Sequence, residues 1–125
     1  AGELTLQAGF EAGEAELFCL AWPTLMSYLR IATHPRIFAS PLSPAAAFAN
    51  VDSLLSLPNV RPLGEGDRFW ACYAKVADGA VVRGNLVPDA HLVALLLEHG
   101  VPLLYSNDAD FKKFSAIRVR DPFAA

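Results

Sequence analysis

GNLVPDAHLVALLLEHGVPLLYSNDADFKKF, residues 84–114, decides how this 125-residue chain is read. Pro88 suits the first turn of a helix, because its missing N–H would have no intrahelical partner there. Gly100 suits the position just after the helix end, where the backbone turns left-handed. The spacing therefore predicts a helix from Pro88 to His99. At 100° per residue, Leu92, Val93, Leu96 and Leu97 all fall within about 80° of Asp89. Asp89 thus lies in the middle of the apolar face, with His91 and Glu98 on the opposite, solvent side. Burying an unpaired carboxylate costs several kcal/mol, and the helix dipole returns only about 0.3–1 kcal/mol in the first turn. Asp89 therefore requires a cation, a hydrogen-bond partner or water, or else serves only to favour the helix start.

The next segment bears on that choice. Val101 to Tyr105 reads as a short apolar strand, followed by Ser106, Asn107, Asp108, Ala109 and Asp110 and by one helical turn to Phe114. In open α/β sheets, ligands bind beyond the carboxyl ends of the strands. A helix that follows one strand and precedes the next starts at that same edge. Asp89, Asp108 and Asp110 are therefore expected to share one end of the sheet. Carboxylates with Ser and Asn beside them, and no Cys or clustered His, suit a hard, oxygen-liking ion such as Mg²⁺ or Mn²⁺. An Asp-x-Asp triplet alone is a weak motif. Its combination with Asp89 carries more weight.

Outward from this stretch, the chain is 54% hydrophobic with a mean hydropathy of +0.32. That is enough for a real core and argues against disorder. No apolar run approaches the ~20 residues that span a bilayer, and no basic-then-apolar leader marks secretion. The expectation is a soluble, cytoplasmic protein with no membrane partner. Cys19 and Cys72 lack metal-ligand spacing and read as free thiols. The net charge is −3, but Glu3, Glu11, Glu14 and Glu16 all lie in the first twenty residues, which contain no Lys or Arg. The remainder is near neutral, so phosphate binding by local arginines is permitted but not demanded.

Residues 1–14 are weakly patterned and read as a loose leader, although Leu4 and Leu6 alternate as in a strand. Ala15–Ala21 reads as a buried strand. A helix follows over Thr24–Thr33, ended by His34-Pro35. Ser43 and Pro44 form a cap and first-turn pair for a helix through Leu57. Val60–Leu63 is a short strand, Gly66-Asp67 opens a helix closed near Gly79, and Ile117–Val119 is a last edge strand. Helices alternating with short apolar strands imply an α/β fold with a mostly parallel sheet. No repeat or linker divides residues 1–125, which read as one domain.

RGNLVPDAHLVALLLEHGVPLLYSNDADFKKF (83–114) resembles the C-terminal half of PIN-domain ribonucleases, specifically the VapC toxins of bacterial toxin–antitoxin pairs. WPTLMSYLRIATHPRIF (22–38) resembles the helix and loop of the same branch, and the similarity extends over about residues 15–122. The resemblance implies a three-layer α/β/α sandwich with a mostly parallel central sheet. It implies Mg²⁺- or Mn²⁺-dependent cleavage of RNA, a cognate VapB-type antitoxin whose tail covers the acidic cleft, and homodimers. It aligns the family's third acid with Asp89 and its fourth with Asp108 or Asp110. The polar residue ahead of the fourth acid matches Ser106 or Asn107.

Two features depart from that pattern. The family's first acid lies on an N-terminal strand, and no such segment is seen here. The expectation is that the chain starts after it or has diverged, with residues 3–7 or another chain filling the strand's place. The second acid, a Glu in typical members, falls at Ser27, with Glu14 or Glu16 as substitutes. Weak metal binding and low nuclease activity are therefore expected. The alternative is a catalytically impaired module kept for antitoxin or RNA binding. A phosphatase that uses Asp-x-Asp is disfavoured, because its motif ends the first strand. Arg30, His34 and Arg36 suit RNA phosphates, or else a helix end and a structural role. Arg83 suits a phosphate contact or an ion pair with Asp89. Lys112 and Lys113 read as solvated. Trp22, Phe69, Trp70 and Tyr73 are expected in the core or at a subunit interface.

Overall fold

A computed structural model describes residues 5–12, 15–106 and 108–121. Its strands are β1 (Thr5–Ala12), β2 (Ala15–Ala21), β3 (Val60–Leu63), β4 (Leu103–Ser106) and β5 (Arg118–Arg120). Its helices are α1 (Trp22–Ala32), α2 (Pro44–Leu55), α3 (Phe69–Asp78) and α4 (Leu86–Glu98), with a 3₁₀ turn over Ala109–Lys113. The strands form one sheet in the order β3-β2-β1-β4-β5. β2 pairs with β3, and β4 with β5, in parallel. β1 pairs antiparallel with both β2 and β4, which makes β2, β3, β4 and β5 codirectional. The sheet is mostly parallel, as expected, with one strand reversed at its centre.

That central strand takes up residues 5–12 of the stretch read as a loose leader. Thr5 to Ala8 pair with Ser106 to Leu103 on one side, and Ala8 faces Phe18 on the other. Backbone groups at the centre of a sheet need partners on both edges, and this segment supplies them where weak apolar patterning gave little sign of it. Residues 5–7 fall within the 3–7 stretch expected to fill the place. Leu4 and Glu14 lie outside the described residues.

Side chains alternate across the sheet, as strand geometry requires. On β2, Cys19 and Ala21 enter the larger core, with Leu63 of β3, Val76 of α3 and most of α4. Leu20 enters the smaller core on the opposite face, with Leu25 of α1, Val51 of α2 and Val60 of β3. The sheet is thus covered on both faces, which is the three-layer arrangement. Burial holds the Cys19 thiol above its usual range, against a smaller opposing effect of Arg61. Cys19 and Cys72 are both free.

Helix α4 is the centre of the larger core. Ala90, Val93, Ala94, Leu95 and Leu96 are all fully buried. The expected face toward the sheet is confirmed by Leu92, Val93 and Leu96. The opposite face is not open solvent, because α3 packs along it. His91 and Glu98 instead clamp the loop before α3. The Glu98 carboxylate accepts the N–H groups of Gly66 and Arg68 at 2.8 and 2.9 Å, and the Gly64 carbonyl lies 2.7 Å from His99 Nε2. His91 Nε2 meets Glu65 Oε1 at 2.6 Å, and this hydrogen bond holds the Glu65 carboxyl below its ordinary range. The helix starts at Leu86, two residues before Pro88, which still lies in the first turn. It ends as expected: Gly100 takes φ +69°, and Val101 N–H reaches the Leu96 carbonyl at 2.8 Å. Ser43 caps α2 through the Ala46 N–H.

Trp70 is outside the core, which leaves the subunit-interface alternative for it. It is 75% exposed, and its indole stacks on Tyr73 with ring centroids 5.6 Å apart. Phe69 and Tyr73 pack against the larger core, whereas Trp22 is partly exposed.

Glu98→Ala is expected to lower unfolding free energy by about 1–3 kcal/mol in urea titrations, because two backbone donors lose a charged acceptor. Gly66→Ala strains the same contact, since its Cβ would stand 2.6 Å from Glu98 Oε2. A wild-type midpoint for Glu98→Ala would refute the clamp.

Candidate active site

The carboxyl ends of β2 and β4 point to the same edge of the sheet, because the two strands are codirectional. α1 begins at the residue after β2, and the 3₁₀ turn begins three residues after β4. α4 follows α3 directly rather than a strand. Its 13 residues span about 20 Å and lead through Gly100 into β4, so its first turn returns to that edge.

Asp89, Asp108 and Asp110 meet there. One carboxylate oxygen from each lies within 4.8 Å of the others. Asp89 and Asp108 are half-buried, and Asp110 is exposed. The sequence expected this convergence, and the placement of all three agrees with it. Asp108 is also the cap of the 3₁₀ turn, its Oδ1 accepting the Asp110 N–H at 2.9 Å. Ser106 stands behind it, 2% exposed, and its Oγ accepts the Asp108 N–H at 3.1 Å. The Ser106 hydroxyl is thus turned into the acidic bend. Asn107 lies outside the described residues.

A groove of about 420 Å³ runs from Asp89 along α1. Thr24, Ser27 and Tyr28 line one wall, Pro88 and Asp89 the other, with Phe111 at the end toward the 3₁₀ turn. Ser27 therefore opens onto the same groove as Asp89. Arg30 and Arg36 are exposed and lie outside the groove lining, as does Arg83 before α4. The Arg36 N–H donates to His34 Nδ1 at 3.1 Å, a local contact at the end of α1. Lys113, read from sequence as solvated, is paired: its Nζ lies 3.3 Å from Asp110 Oδ1. The i,i+3 spacing of Asp110 and Lys113 within the helical turn expected there carried that signal.

The donor set is chemically specific. Three carboxylates without sulfur or imidazole fit a hard divalent cation such as Mg²⁺ or Mn²⁺. The groove offers apolar and aromatic walls beside that charge, a form suited to holding one strand of a polyanion while its phosphate meets the cation.

The sequence matches the PIN domain family over residues 12–117. It is 48% identical over 120 residues to Ribonuclease VapC48 of Mycobacterium tuberculosis, covering 96% of this chain and 82% of that protein. It is 35% identical over 111 residues to VapC ribonuclease Mb2897 of Mycobacterium bovis, covering 89% and 75%. Ribonuclease VapC31 of Mycobacterium tuberculosis is 38% identical over 97 residues, covering 77% and 68%.

Ser106→Ala removes a buried acceptor from the acidic bend. A loss of about 1–2 kcal/mol in unfolding free energy is expected, together with faster amide exchange at Asp108. Unchanged exchange at Asp108 would remove Ser106 from this role.

Proposed function

The chain belongs to the PIN-domain family, among its VapC-type ribonucleases, and from that premise we propose a divalent-metal-dependent endoribonuclease. Its substrate in this reading is an RNA phosphodiester bond, and its role is the toxin of a VapBC-type toxin–antitoxin pair. The convergence of Asp89, Asp108 and Asp110 at the sheet edge carries the proposal. Residues 1–125 act in it as one PIN-like domain.

Asp89, Asp108 and Asp110 would hold the ion. A bound Mg²⁺ or Mn²⁺ supplies charge neutralisation at phosphate and a more acidic water. The half-buried setting of Asp89 and Asp108 limits competing water, and the bend anchored on Ser106 keeps Asp108 oriented. Arg30, Arg36 and Arg83 are assigned to RNA phosphates and Ser106 and Asn107 to substrate binding, Ser106 indirectly through Asp108 because its own side chain is 2% exposed. The partner is a VapB-type antitoxin whose tail lies over the cleft, and the chain pairs as a homodimer in the cytoplasm. No helix among the described residues is long and apolar enough to cross a membrane.

A second reading has its own observation. Ser27, where typical members place an acid, lines the groove with Asp89. That favours an impaired module retained for antitoxin or RNA binding.

Cleavage of a labelled RNA in Mn²⁺ separates the two. The ribonuclease reading expects slow cleavage, abolished by chelation and lowered about 100-fold or more by Asp89→Asn. An Mn²⁺-independent rate, or one indifferent to Asp89→Asn, would refute it. Antitoxin or RNA binding with no cleavage would establish the second.

A further inference from the structure

We propose that Lys113 is a built-in counter-cation of the acidic cluster, occupying Asp110 and lowering the cluster's affinity for a divalent ion. The inference rests on the reading of Asp89, Asp108 and Asp110 as the ion's ligands.

The geometry is local. Asp110 and Lys113 lie one 3₁₀ turn apart, with Nζ 3.3 Å from Asp110 Oδ1. Asp110 also gives one of the three oxygens that converge within 4.8 Å. The ammonium and an incoming ion therefore address the same carboxylate. No ion pair is found on Asp108 among the described residues, and its Oδ1 accepts the Asp110 N–H. Lys112 is also exposed, and no ion pair is found for it among the described residues.

The pair is weak by construction. Its side chains are 60% and 53% exposed, and solvent-exposed pairs contribute little. A divalent ion can displace the ammonium, but it must do so against a like charge held close by. Lys113 thus acts as a positioning residue for Asp110 in the unloaded state and sets the concentration at which the cluster loads.

The test is Mn²⁺ binding to the full chain, followed by electron paramagnetic resonance of free Mn²⁺. Lys113→Met is expected to lower Kd about 3- to 10-fold. Lys113→Arg, which can keep the pair, is expected to stay within about 2-fold of wild type. Lys112→Met removes the same charge one residue away and is expected to shift Kd less than about 2-fold. In an Asp110→Asn background the Lys113→Met gain should vanish. An unchanged or raised Kd in Lys113→Met overturns the inference, as does an equal gain in Lys112→Met or a gain that survives Asp110→Asn. Absence of Mn²⁺ binding in both wild type and Lys113→Met overturns it too. The underlying site is tested separately: Mn²⁺ affinity indifferent to Asp89→Asn would place the ion elsewhere, whatever Lys113 does.

Discussion

Burial of α4 is the constraint on which the rest depends. A helix whose residues Ala90 and Val93–Leu96 all lose their solvent must be covered on every side. The sheet covers one face and α3 the other. A carboxylate in the middle of such a helix would be left without water, at a cost of several kcal/mol. Asp89 avoids this by standing in the first turn, where the groove reaches it and the dipole favours its charge. Asp89 is therefore at a part of the buried helix where charge is tolerated. At the other end, Glu98 and His99 hold the loop of residues 64–68, and Gly100 redirects the chain into β4.

Strand direction then does the assembling. β2 and β4 lie on either side of β1 and run the same way, so α1 and the 3₁₀ turn open from one edge. α4 runs back to that edge because it precedes β4. Three separate segments meet at the acids without any of them needing to be long. The reversed β1 leaves this arrangement intact, because it changes only the direction of the central strand between β2 and β4.

Much of this was legible in the sequence. The apolar arc around Asp89, the Gly100 stop and the acids after Val101–Tyr105 pointed to the convergence of Asp89, Asp108 and Asp110 without coordinates. Ser43 and Pro44 likewise placed α2. Other features were hidden for physical reasons. β1 was seen only in part, as a strand-like alternation and a place for residues 3–7 to fill, because the three glycines and the acids of residues 1–14 interrupt the apolar run that a central strand ordinarily shows. Helix periodicity placed His91 and Glu98 opposite the sheet correctly, but it does not reveal a second helix on that side. Glu98 is a polar residue satisfied by the backbone of residues 66–68, a contact 30 and 32 residues away in sequence. Trp70 was expected in the core or at a subunit interface, and its indole stacks on Tyr73 at the surface of the single chain, outside the core.

Charge balance limits what this edge can hold. Three carboxylates in a space of 4.8 Å repel one another, and two of them are half-buried. With Lys113 on Asp110 the cluster carries about −2, a match for one divalent ion. Ser27 adds no charge from the α1 wall. A second ion at the same edge would therefore be drawn there mainly by the phosphate of a bound strand. A divalent ion held here would find its counter-charge on Asp89, Asp108 and Asp110 and none on Ser27.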